Sequence, residues 1–561
     1  MASKTLHFFY LILIFTQFIL AKNYYVNPNA GLMQNDGSIN LPWSTLDSVA
    51  LLKSSLFEGG DTLFLYSGYH GDKVILNNNP KLKIVITAVK NNIPKFLNFT
   101  VKGSNWVLNN LVFTQEGNDG LGVPGNFYNG THLILLENSR NNIIQNCKFF
   151  STENSENWAL SDWRGNVWNG VIDYGKNNIL RNNSFNNIAY AIQLMQQCDS
   201  AIVRSNFINN FSGDGIRVGG ADYCLVENNI VKNSIELDDN SYDGNHEDAI
   251  QAWDFNDGVN NLIVRGNLII NYENIEQPFR GPMQGMGFFD GFYNDCIIEN
   301  NIIIVEHWHG ISLYGAKNCK IINNTVLQNP GGSNAAGPPW IGIFNHKDGR
   351  ESTDNIVRNN LSTDLSITTG SSLVDHNIAK IFARDFCEDY DNFNFYPDPK
   401  AVVGGEIIID QGSIEDAPHI DFLGTARPQG AGYDIGAFEY SDSISVGIDD
   451  KRRYQYFSLD QNYPNPFNPI TVISYTIPAN VISNERNDVR NLNNSHFNQN
   501  NNVIMKVYDV LGREIATLIN EPKAVGKRKI SFDASNLTSG VYYYQLKVDN
   551  YLETKKMILL K

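Results

Sequence analysis

Basic residues are in short supply: 43 lysines and arginines stand against 59 aspartates and glutamates, for a net charge of −16. A chain so balanced lacks the basic face that a nucleic-acid backbone requires, and direct binding of a polyanion is disfavoured unless cations bridge the two. Cysteine is scarce as well, with six in 561 residues (Cys147, Cys198, Cys224, Cys296, Cys319 and Cys387), and none are spaced as zinc ligands. Long apolar runs are missing except at residues 8–20, between Lys4 and Ala21. That run is too short for a hydrocarbon core of about 30 Å, so residues 1–21 are expected to be a cleaved secretory signal. No cysteine stands at the cleavage point, so no lipid anchor is expected there.

What the chain has in quantity is a short repeated phrase. Aligning WVLNNLVF, IIQNCKF, ILRNNSF, IVRSNFI, LVENNIV, IVRGNLI, IIENNII, IINNTVL and IVRNNLS superimposes Asn110, Cys147, Asn183, Asn206, Asn229, Asn267, Asn301, Asn324 and Asn360. Three successive gaps are 23 residues and the others are 23 plus an insertion of 11 to 15. A fixed period with occasional insertions marks a solenoid whose loops vary while its rungs do not. The runs are rich in Ile and Val and too brief for helices, so the rungs are strands. Rungs stacked in parallel at roughly 4.8 Å let one Asn per turn hydrogen-bond its neighbours above and below. The expected fold is therefore all-β, a solenoid of parallel strands. On this repeat, residues 22–375 resemble the pectate-lyase and polygalacturonase superfamily, which implies a right-handed parallel β-helix over residues 22–440, with capping segments at both ends.

Other segments are read around that coil. The strand and short amphipathic helix in residues 22–100 should cover its first open edge. Trp158, Trp163 and Trp168 crowd one insertion; they would either form local core or line a sugar site. Cys224, Cys296 and Cys319 each precede a ladder Asn by five residues. Cys296 and Cys319, on neighbouring rungs, are within disulfide reach in principle, while a stack of small buried residues explains the column without a bond. Residues 421–440 (DFLGTARPQGAGYDIGAFEY) resemble the choice-of-anchor Q end segment, in which Asp421, Arg427 and Asp434 would be structural and close the end of the coil.

A linker at 441–457 carries DDKRR, and 458–561 reads as a small β-sandwich with an Asn-rich insert at 479–502. NYPNPFNP, YDVLGRE, LTSGVYYY and the basic-apolar end resemble the type A C-terminal sorting domain of the type IX secretion system. The resemblance implies that the secretion machinery is a partner, and that the protein is secreted or held at the cell surface. A monomer is expected.

Candidate chemistry lies in residues 212–315. In register, Tyr190, Asp214, Asp248, Gln284 and His309 form one column; Gln193, Arg217, Gln251, Gly287 and Ser312 form a second; and Met195, Gly219, Trp253, Phe289, Tyr314 and Phe344 a third. Side chains alternate along a strand, so Ile192, Ile216, Ile250, Met286 and Ile311 should fill the core while these columns face a groove. Asp214 and Asp248, one rung or roughly 5 Å apart, would hinder each other's ionisation and so supply a proton donor and acceptor, with His309 and Arg217 assisting. Gln193, Gln251, Gln284 and Ser312 would bind substrate, and Trp253, Tyr314 and Trp340 would stack on sugars.

The order Asp214-Gly215, Glu247-Asp248, His309-Gly310 resembles the catalytic run of polygalacturonases, with an extra coil carrying Gln284 before His309 and no downstream Arg-x-Lys. A second reading takes Glu236, Asp238, Asp239, Asp243 and Glu247 as oxygen ligands for Ca²⁺. In a lyase or C5-epimerase built on it, Arg217, Tyr242, His246, His309 or Lys347 would handle the proton. The expected function is cleavage of an extracellular polysaccharide by hydrolysis or elimination. The rival is a non-catalytic glycan binder or adhesin.

Overall fold

Each ladder asparagine follows a residue in the left-handed region. Asn146, Asn182, Ser205, Asn228, Gly266, Asn300, Asn323 and Asn359 have φ between 53° and 62°. Asn and Gly adopt this conformation at least cost, so the paired Asn-Asn of the sequence is a corner followed by an inward-facing amide. A second left-handed corner lies five residues earlier, at Asn141, Asn177, Ser200, Tyr223, Asn261, Asp295, Asn318 and Asp354. The three-residue strands between the corners, Ile179–Arg181 and Ile202–Arg204 among them, have no room to become anything longer.

The computed structural model describes residues 21–71, 73–116, 130–237, 247–254, 258–332, 337–368, 371–441, 458–459, 462, 464–477, 500–510, 512–524, 526–548 and 551–561. The expected signal except Ala21, the linker from 442, and residues 479–499 of the Asn-rich insert lie outside them. Three parallel sheets of 13, 12 and 11 strands wind around one core, forming the β-helix. Residues one turn apart pair in register, as in Ile179↔Ile202↔Leu225↔Ile263. Inside, Phe113, Phe149 and Phe185 stack face to face at 4.5 and 4.7 Å. Ile192, Ile216, Ile250, Met286 and Ile311 are completely buried.

The ladder is continuous. Asn206 donates its backbone N–H (2.9 Å) and Nδ2 (3.0 Å) to Oδ1 of Asn229, and Nδ2 also reaches the carbonyl of Leu180 at 2.9 Å. The same pattern runs from Cys147 through Asn183 and onward through Asn267, Asn301, Asn324 and Asn360 to Asn377. Two corrections follow. Lys148 pairs with Val112, so Leu111 and not Asn110 stands in the ladder column; Asn110 is the left-handed corner before it, with φ 55°. The column also extends one rung further than the repeat suggested, to Asn377. The cysteines are free thiols, five of them buried. Cys224 and Cys319 donate to carbonyls of Cys198 and Tyr293 at 3.2 Å, and Cys319 N–H donates to Asn355, so these thiols fill a second corner column.

Helix Leu46–Leu52 buries Leu46, Val49 and Ala50 at the start of the coil. Phe386, Phe395, Tyr396, Phe422 and Phe438 pack on Ile230, Leu268, Ile270, Ile302, Ile304, Leu361 and Ile378, along the outer side of the 12-stranded sheet as far as its last strand. Outward-facing isoleucines on those strands make that side apolar, which is why it is covered. Arg427 is buried against Glu439 at 3.0 Å and donates to backbone carbonyls of Asp434, Gly436 and Phe438. The C-terminal unit has antiparallel sheets of three and four strands around its own core of Ile473, Met505, Tyr544 and Met557.

Asn229→Ala removes the acceptor of two donors on Asn206. At about 1–3 kcal/mol for each buried group left unpaired, loss of several kcal/mol of stability is expected, read as a lower urea midpoint. An unchanged midpoint would mean the ladder is not what holds the rungs.

Candidate functional site

The longest strands of the coil, Asp248–Trp253, Gln284–Asp290 and His309–Tyr314, lie side by side in the 11-stranded sheet. Their outer face bears a depression of about 190 Å³ lined by Arg217, Gln251, Trp253, Gly287, Phe289 and Asp290. Arg217 is its centre. Its guanidinium lies 4.3 Å from the Tyr190 ring and 4.9 Å from the Trp253 ring, and Nε meets Asp214 Oδ2 at 2.6 Å and Gln251 Oε1 at 3.3 Å. Glycines make this sandwich possible. A Cβ at residue 213 would fall 2.6 Å from Tyr190, and one at 219 would fall 2.7 Å from Trp253. Only Nε is engaged among the described residues, so the two terminal nitrogens are presented to the depression on a side chain 21 % exposed.

The polar columns do not all face a groove. Asp214, Asp248, Gln284, Gln193 and Ser312 are buried. Asp214 Oδ1 accepts the backbone N–H of Asp248 at 2.9 Å, so the carboxylate joins two rungs and anchors Arg217 without reaching the surface. Asp248 Oδ2 accepts from Gln251 Nε2 at 3.2 Å. Its Oδ1 lies beneath Gly287, where a Cβ would be 2.3 Å away, and the carboxylate is buried. The aspartates are in neighbouring rungs as expected, but both sit below the floor.

The third column shifts. Trp253 pairs with Asp290 and not Phe289, because a bulge follows Ala252. The extra residue brings Asp290 to the rim, where Lys347 Nζ meets it at 2.5 Å. Sequence reasoning missed Asp290, since a two-residue alternation has no place for a bulge. Beyond it an aromatic strip continues across the rungs: Phe289–Tyr314 at 5.6 Å, Tyr314–Phe344 at 4.8 Å, Trp340–Phe344 at 5.8 Å and Trp308–Trp340 at 6.3 Å. His309 lies within it, 4.7 Å from Phe289 and 5.5 Å from Trp340. Trp163 instead packs with Val167, Ile235 and Leu237 against Tyr190, with Trp158 edge-on to it at 5.0 Å, a local core that backs the Arg217 sandwich, while Trp168 lies against the His132 ring at 5.0 Å.

Of the five expected Ca²⁺ ligands, Asp238, Asp239 and Asp243 lie outside the described residues, as do Tyr242 and His246. Glu247 is buried, and desolvation, followed by the charge of Glu236, holds its carboxyl well above the ordinary range. Among the described residues no three metal-ligating side chains converge, and no helix is long and apolar enough to cross a membrane.

Comparison with known proteins bears on the C-terminal unit most directly. Residues 461–560 match the secretion system C-terminal sorting domain. The protein is thus a type IX secretion substrate, secreted or carried at the cell surface. No curated protein sequence matches the chain. Among solved structures, pectate lyase Pel9A is 16% identical with a TM-score of 0.42, over 75% of this chain and 96% of that one. A GH136 lacto-N-biosidase from Eubacterium ramulus is 14% identical with a TM-score of 0.40, over 64% and 68%. PfbA, a surface adhesin of Streptococcus pneumoniae, is 9% identical with a TM-score of 0.32, over 60% and 88%. The feature in common is the coil.

The Glu247 carboxyl gives a signed pH dependence. A carboxyl whose folded value is raised binds its proton more tightly in the native state. Its stabilising contribution is full below the unfolded value of about 4.5 and is lost as pH rises toward the folded one. Glu247→Gln should therefore raise the melting temperature near pH 8 and leave it unchanged near pH 4. A Gln variant that melts lower at both pH values would show instead that the carboxylate is charged and paired.

Proposed function

We propose that this exported β-helix binds an extracellular polysaccharide along the outer face of the 11-stranded sheet and cleaves its glycosidic bonds. The observation that carries the reading is Arg217. A guanidinium clamped by two rings and a carboxylate through Nε, with its terminal nitrogens turned outward, is pre-organised for bidentate capture of an acidic or hydroxyl-rich group. The depression is smaller than the roughly 300–1,000 Å³ of small-molecule sites, which suits one unit of a longer chain. Trp253, Tyr314 and Trp340 are set to stack on further units.

Asp248, under Gly287, is the carboxyl placed to exchange a proton with a bound sugar. His309 assists, and Asp214 positions Arg217. Gln251 holds both Arg217 and Asp248, so binding at the guanidinium is coupled to the carboxyl. Gln193 and Gln284 complete the polar layer beneath the ligand. In the eliminative version, Ca²⁺ held by Glu236, Glu247 and the carboxylates of Asp238, Asp239 and Asp243 would supply positive charge against a uronate. Glu236 and Glu247 are neighbouring carboxylates, the charge of Glu236 helping to raise the carboxyl of Glu247. The complete burial of Asp214 and Asp248 favours one alternative, a glycan-binding surface protein without turnover.

The test is incubation with acidic and neutral plant and algal polysaccharides, following reducing ends and the ultraviolet absorbance of unsaturated uronates. Arg217→Gln should lower kcat/KM at least about tenfold, the scale of one lost charged hydrogen bond, and should also lower the melting temperature, because the buried Asp214 carboxylate loses its counter-ion. Asp248→Asn should abolish product while binding persists. Retained binding with no product from the native protein would leave the adhesin reading.

A further inference from the structure

Beyond Arg217, one group in the aromatic strip has its hydrogen-bonding role fixed by its neighbours. Ser312 is buried, with its hydroxyl between two rings: Trp340 Nε1 donates to Oγ at 2.9 Å, and His309 Nδ1 lies 2.8 Å from the same atom. An indole N–H can only donate, so Oγ is the acceptor of that bond. The serine's own proton then has one partner among the described residues, the Nδ1 lone pair of His309. A buried hydroxyl left without an acceptor costs about 1–3 kcal/mol, which selects against the tautomer that carries its proton on Nδ1.

From this geometry we infer that the Trp340–Ser312–His309 chain holds His309 as a neutral imidazole with its proton on Nε2. His309 is then a hydrogen-bond donor toward a ligand oxygen and not the base that removes a substrate proton, because Nε2 has no free lone pair. The inference rests on the proposed polysaccharide site for its use, though not for its existence. The ligand group it selects is an acceptor, a glycosidic, hydroxyl or carboxylate oxygen.

The rest of the surroundings agree with a fixed ring. His307 stacks on His309 with centroids 5.0 Å apart, and its Nδ1 accepts the backbone N–H of His309 at 3.1 Å. Phe289, Trp308 and Trp340 form the other near ring contacts. His307 is the one titratable ring among these neighbours. Ser312 and Trp340 are thus positioning residues, set one rung apart by the pairing of Ile311 with Ile341 and Leu313 with Ile343. Trp340 serves here through its N–H, apart from any stacking on sugar.

The test is a nitrogen NMR measurement on the full chain with ¹⁵N-labelled histidine, His309→Gln identifying the signal. Wild type should show a single neutral tautomer with the proton on Nε2 at neutral pH. Ser312→Ala should convert it to a mixture of both tautomers, and Ser312→Thr should restore the single form. Trp340→Phe should weaken the preference without altering the other nine histidines of the ten in the chain. A proton on Nδ1 in wild type, or a tautomer indifferent to Ser312→Ala in a variant that melts normally, overturns the assignment. Since no substrate is involved, failure here is distinct from failure of the polysaccharide reading, which would leave the tautomer as stated and show no turnover or binding.

Discussion

The primary amide of asparagine is the group on which the coil depends. In-register parallel strands satisfy their own backbone, but the corners that join them turn N–H and carbonyl groups inward, where water does not reach. A side chain with both a donor and an acceptor can answer both at once. Asn229 accepts two bonds from Asn206 and donates to Val203 and Asn267. Aspartate could not donate, and leucine could do neither. One residue type repeated at one position therefore fixes the axial register of the coil from Asn183 to Asn377, including the rungs that bear the candidate site.

That regularity gives the site its materials and also its limits. Rungs about 4.8 Å apart bring Asp214 and Asp248 close without any special design, and the same closeness hides them: each has a neighbour above and below, and Asp214 is consumed in bonding Asp248 N–H and Arg217. Access to chemistry must come from departures. Gly287 places no side chain over the buried Asp248, and the bulge after Ala252 moves Asp290 outward. An insertion supplies Trp158 and Trp163, which pack behind Tyr190. Function here is written in the places where the repeat fails.

This division explains what could be read from the sequence. The period, the strand assignment, the inward isoleucines and the pairing of Gln193, Arg217 and Gln251 follow from spacing alone, and they stand. The error at Asn110 arose because Asn-Asn offers two candidates for one column, and only strand pairing tells the corner from the ladder. Burial of Gln284 and Ser312 was hidden for another reason. Alternation says which side of a strand a residue takes, but not whether flanking rings and loops cover that side. Likewise nothing in a linear pattern announces that the segment after Lys380 finds the outward isoleucines of the 12-stranded sheet, since that contact joins residues far apart in sequence.

Charge sets the last constraint. A chain of net −16 repels polyanions at long range, yet at physiological salt the screening length is about 8 Å, less than two rungs. Over that distance the local composition governs. Among the described residues that line the depression, the charged groups are Arg217, partly neutralised by Asp214 through Nε, and Asp290, paired with Lys347. A ligand arriving at the aromatic strip therefore meets a cation whose free edge faces outward and whose counter-ion is buried behind it. Desolvating that arrangement is cheaper than desolvating a free arginine, because the flanking rings already exclude water from both faces of the guanidinium. The acidity of the surface favours solubility of the exported protein, while in the proposed site a single clamped cation is the group that selects the ligand.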